Sequence, residues 1–185
     1  MRMRFMALAL ALAASGYAAE PQLRKQRLDA VVHTGDDTGH AAQFELACHG
    51  AADGALSLTI VLAMPDAITG FPLTAFEGPD GVGEGRDLAT WSVDTRGKSV
   101  ELRTAISGWY GVDGDGFLLS RSAAWRTAPT VVTFVRALVA DDAQRVRLRV
   151  DTPDGGSPLL AEASLAGRQA SLAAVAADCV RAATD

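Results

Sequence analysis

Apolar residues recur along this chain with two periods, and those periods place most of its elements. Period two comes first. Leu28, Ala30 and Val32 alternate with Asp29, Val31 and His33. Phe44, Leu46 and Cys48 alternate with Gln43, Glu45 and Ala47, and Leu56, Leu58, Ile60 and Leu62 alternate with Ser57, Thr59 and Val61. Each run reads as a half-buried strand, and the last two, joined through "GAADG", read as a hairpin. Strands resume at 89–93 around Trp91, at 99–106 after the turn "DTRGK", at 117–120, at 145–150 and at 159–165. Helical spacing appears twice. Pro129 suits a first helical turn, and Val131, Val132, Val135, Leu138 and Val139 form a stripe that predicts a helix over 129–140. Leu172, Val175, Ala176 and Cys179 follow an i, i+3, i+4, i+7 pattern and predict a helix over 168–182. Between 65 and 87 the pattern lapses into proline and glycine, with Phe71 and Phe76 embedded and room for one short strand near 73–76. "GWYGVDGDG" reads as a second loop. The expected fold is α+β: a mostly antiparallel sheet of seven or eight strands with two helices packed on one face.

The two cysteines sharpen that picture. Cys48 lies on the apolar side of its strand and Cys179 on the apolar face of the last helix, so both point inward by independent periodicities. The N-terminus, "MRMRFMALALALAASGYAAE", has two early arginines, a ten-residue apolar run and a small-x-small pair ending at Ala18. It reads as a secretory signal peptide over 1–18. Residues 19–185 then form one domain, of a size that suits a single core. Export to an oxidising compartment lets two cysteines pair and stay paired. A Cys48–Cys179 disulfide is therefore expected to staple the C-terminal helix to the sheet in a periplasmic or secreted protein. The apolar run is too short to span a bilayer, and no second segment is long enough, so no membrane span is expected. Without residues 1–18 the chain carries 15 basic and 22 acidic residues, a balance that disfavours nucleic acid as a partner.

Candidate chemistry is sparse. "DGDG" holds Asp113 and Asp115, but Phe117 and Ala124 stand where a calcium loop needs oxygen ligands. "HTGDDTGH" offers His33, Asp36, Asp37 and His40 without the spacing of a compact metal motif. No G-x-S-x-G, H-E-x-x-H or phosphate-binding glycine loop occurs. No catalytic residue, metal ligand or cofactor is assigned. Arg145, Arg147 and Arg149 form a basic row on one strand face, which reads as a solvated face paired with acids such as Glu101 or Glu162. Phe71, Phe76, Trp109 and Tyr110 lie in or beside glycine-rich loops, where aromatic side chains serve either as binding surface or as plugs at the ends of a core.

The cysteine-bearing segments "FELACHGAADGALSLTIVL" and "SPLLAEASLAGRQASLAAVAADC" resemble small exported bacterial single-disulfide proteins of uncharacterised type, some of them associated with type VI secretion. The shared features are a strand cysteine before a hairpin and a strand–Leu-x-Gly–helix unit ending in the second cysteine. The resemblance implies a periplasmic accessory or binding role and carries over no catalytic residue. The expectation is an exported, non-enzymatic binding or accessory domain of the bacterial cell envelope. It would use Phe71, Phe76, Trp109 and Tyr110 against a protein or envelope partner. The alternative is a metal-binding protein or hydrolase built on the loop from His33 to His40 or on the loop holding Asp113 and Asp115.

Overall fold

The computed structural model describes residues 23–35, 39–50, 55–111, 116–124 and 128–181. The expected signal peptide and Asp36, Asp37, Asp113 and Asp115 lie outside them. The strands are β1 (Leu23–Thr34), β2 (His40–His49), β3 (Ala55–Leu62), β4 (Ala89–Thr95), β5 (Lys98–Thr104), β6 (Ser107–Tyr110), β7 (Phe117–Ala124), β8 (Arg145–Val150) and β9 (Leu159–Ser164). The helices are α1 (Pro129–Leu138) and α2 (Gln169–Arg181). All nine strands join one sheet in the order β5-β4-β8-β9-β1-β2-β3-β7-β6, and every neighbouring pair is antiparallel. The sheet curls into a half-barrel. The β8–β9 hairpin slots between β4 and β1, and so joins the β4–β5 hairpin to the β1–β2–β3 meander.

The fold class stands as expected, with nine strands in place of seven or eight. The additional strand is β6, on "SGWY", which runs from Ser107 into the expected loop beginning at Gly108. Its residues do not alternate in polarity, because Gly108 supplies the inward position and Trp109 the outward one. The short strand allowed near 73–76 is instead a 3-10 turn, Leu73–Phe76, preceded by another at Pro65–Ala67. β1 begins five residues earlier than its apolar alternation, since Arg24, Lys25 and Arg27 extend it by pairing rather than by burial. Arg27 lies 2.6 Å and Lys25 3.7 Å from the Glu45 carboxylate on β2, and Arg24 lies 3.2 Å from Asp178 on α2.

The core fills the hollow of the sheet. Phe44, Leu46, Leu58, Trp91, Leu119, Leu148 and Leu159 project into it and are almost wholly buried. Trp91 meets Phe44 edge to face at 5.9 Å, although its indole N–H finds no hydrogen-bond partner among the described residues. α1 buries Val131, Val132, Phe134, Val135 and Leu138, and α2 buries Leu172, Val175, Ala176 and Cys179. Cys48 and Cys179 are bonded, with Cα atoms 6.0 Å apart, in the ordinary range for a disulfide. The bond closes a sequence separation of 131 residues. The chain-entropy model assigns a staple of that span about 5 kcal/mol. Among the described residues no helix is long and apolar enough to cross a membrane.

Candidate binding surface on the open face of the sheet

The sheet has an inner face under the helices and an open face. Alternation assigns each strand residue to one or the other, and register aligns the open-face residues in rows. One row runs Val31, Glu162, Arg147, Ser92, Glu101; the next runs His33, Leu160, Arg149, Thr90, Arg103. Thr90 and Ser92 are short, and they stand between long side chains on β8 and β5. Short residues between long ones leave a trough of about 640 Å³, reaching from Glu101 to Val31 and His33. Across β3 and β7 the same face carries short hydroxyl side chains, and Thr59 and Ser120 are buried there. There Thr59 and Ser120 share a hydrogen bond of 2.9 Å, and Ser57 and Ser122 share one of 2.6 Å.

Arg147 and Arg149 of the basic row line the trough, and each charge of the row is already matched. Arg145 lies 3.1 Å from Glu162, Arg147 2.5 Å from Asp94, and Arg149 2.8 Å from Asp151. These pairs are about half exposed, where each contributes roughly 0–1 kcal/mol. Of the two acids expected beside the row, Glu162 does pair with it. Glu101 sits across Ser92 from Arg147, two strands away, and makes no ion pair among the described residues. The trough also holds two exposed apolar side chains, Val31 at 46% and Leu160 at 43%. They are diagonal neighbours on β1 and β9, within side-chain reach of each other.

The aromatic residues separate into two groups. Phe71 and Phe76 are 6% and 0% exposed and stack on each other at 5.3 Å, so they plug the core and present no surface. Burial thus removes two of the four aromatic residues expected to form a binding surface. Trp109 and Tyr110 are each 42% exposed. They occupy successive positions of β6 and so point to opposite faces, with Tyr110 packed edge-on against Phe117 at 5.0 Å.

The histidines also fall on different faces: His33 lines the trough, whereas His40 pairs with Val32 on the inner side. Among the described residues no three His, Cys, Asp or Glu side chains gather as a metal site.

Val31, Leu160, Thr90 and Ser92 were not singled out by the sequence reading. A signal for the first two does exist, since each is an apolar residue at the outward position of an otherwise alternating strand. Comparison with known proteins finds no matching family model, no matching curated protein and no matching solved structure.

Proposed function

We propose that this chain is an exported, non-enzymatic binding domain of the bacterial cell envelope, and that it holds a protein partner in the trough on the open face. One observation carries the reading: Val31 and Leu160 stand exposed and adjacent beside a row of internally neutralised ion pairs. An apolar patch bordered by polar, charge-balanced side chains suits a protein interface. Charges already matched within the chain ask for no counter-charge, and the gain comes from burying the two apolar side chains. The envelope setting draws on the N-terminal pattern and on the buried disulfide, which suits an oxidising compartment.

Tagged protein is incubated with native envelope extract, and the retained proteins are compared across variants that keep the wild-type melting temperature. A partner held by the wild type should be lost with Leu160→Asp and Val31→Asp and kept with Trp109→Ala. Retention by Leu160→Asp would remove the trough from the interface. Loss with Trp109→Ala alone would move the surface to β6, where Trp109 and Tyr110 are the exposed aromatic side chains.

A further inference from the structure

β5 is a terminal strand of the sheet and pairs only with β4. Among the described residues, no hydrogen bond reaches its backbone over 99–104 from any other element. The strand therefore presents a row of unpaired N–H and C=O groups, a ready template for one more strand. Its side chains alternate strictly: Val100, Leu102 and Thr104 face inward, while Ser99, Glu101 and Arg103 lie on the open face. Arg103 donates through Nε to the Asp87 carbonyl at 3.1 Å and makes no ion pair among the described residues.

We propose that β5 pairs antiparallel with β5 of a second copy of this chain, about a two-fold axis through Leu102. Three considerations select that register. A closed dimer is isologous, so the strand must complement itself. Period two requires inward residues to oppose inward residues, which restricts the axis to pass through a residue rather than between two. Of the axes that remain, the one through Glu101 sets carboxylate against carboxylate, the one through Arg103 sets guanidinium against guanidinium, and those through Lys98, Ser99, Val100 and Thr104 set neither Glu101 nor Arg103 opposite a complementary charge. The axis through Leu102 places Glu101 opposite Arg103 of the second copy, twice by symmetry, and Leu102 opposite Leu102. It also sets Val100, which is only partly buried, against Thr104. Opposite charges directly across a pair of strands favour the pairing, and like charges oppose it. The two troughs then become continuous across the axis. This pairing does not depend on what the trough binds.

A seven-residue strand buries less area than a stable interface needs, so the dimer is expected to be weak, concentration-dependent and weakened by salt. Sedimentation velocity on the purified protein, from micromolar to near-millimolar concentration, tests it. The wild type should pass from monomer to dimer across that range. Glu101→Arg and Arg103→Glu, each alone, should weaken association at least tenfold. An equimolar mixture of the two should form a heterodimer, because both cross-strand pairs then become Arg–Glu, and the double variant should dimerise like the wild type. A wild type that stays monomeric throughout overturns the proposal, as do single variants that associate as well as the wild type. Failure of the mixture to associate overturns the register.

Discussion

At one end of the sheet β6 is four residues long and lies beneath a strap formed by residues 63–88; at the other, β5 is seven residues long and has no strand beyond it. The strap holds β6 through its backbone. The Gly78 N–H donates to the Gly108 carbonyl at 2.8 Å, and the Ile106 N–H donates to the Gly83 carbonyl at 3.2 Å. The Ser107 hydroxyl donates to the Glu84 carboxylate. Beneath it, Phe71 and Phe76 anchor the strap in the core. Two glycines permit the close approach. A Cβ on Gly83 would stand 2.0 Å from the Ile106 carbonyl oxygen, and one on Gly108 would stand 3.3 Å from the Phe76 Cβ of the strap and 2.5 Å from the Phe117 ring of β7. The long glycine-rich connection is thus the device that closes one edge, at the entropic cost of ordering a long segment. No segment bonds to the outer backbone of β5 among the described residues; α1 packs beside it, with Pro129, Thr130, Thr133 and Phe134 forming a groove against Val100 and Glu101, and Lys98, Glu101 and Arg103 put charge along the strand. One edge has been removed from association by covering, while the other is left free to select a partner by charge.

The largest expected effect tests whether the edges depend on a common scaffold. Replacing both Cys48 and Cys179 by Ser should lower stability in urea by up to about 5 kcal/mol. It should accelerate amide exchange at both edges together, because the staple lies on β2 and α2, away from either. Exchange that rises at one edge alone would show that the edges fold independently. Phe76→Ala should follow, at about 3–5 kcal/mol for a fully buried phenyl ring. Here the Ile106 and Gly78 amides should lose protection while the amides of β5 keep theirs, as read by hydrogen exchange with mass spectrometry. Gly83→Ala should cost about 1–3 kcal/mol through overpacking. With the strap displaced, the chain acquires a second open edge, so light scattering should detect assemblies larger than a dimer. Absence of any change in assembly would mean that the strap does not guard β6. The smallest effect is expected at Arg147→Ala, about 1 kcal/mol or less in thermal unfolding, since its pair with Asp94 is partly exposed. A larger loss would show that the trough wall bears on the core.

Much of the fold was legible because one face of almost every element is buried. β4, β8 and β9 follow clean alternation, β2 and β3 follow it except where Ala47 and Thr59 are also buried, and the α2 stripe of Leu172, Val175, Ala176 and Cys179 is buried residue for residue. Their periodicities also pointed both cysteines inward, and the disulfide forms between them. β6 escaped because a glycine and two half-exposed aromatic residues carry no alternating signal. The site was far less legible. Glycine-rich context left Phe71 and Phe76 open between binding surface and core plug, and the strap folds them into the hollow of the half-barrel. Val31 and Leu160 are ordinary residues until β9 is placed beside β1, a pairing between strands separated by well over a hundred residues.

What this sequence determined by itself is local: which segments extend, which coil, and which side of each seeks the core, because period and burial are coupled within a few residues. The strand order was decided only by tertiary structure. That order sets β8 and β9 between β4 and β1, aligns the two open-face rows into a trough, and leaves the outer backbone of β5 without a strand partner while β6 is strapped. These outcomes depend on which distant backbone donors and acceptors meet, and a strand's side-chain pattern is nearly the same whichever neighbour satisfies them.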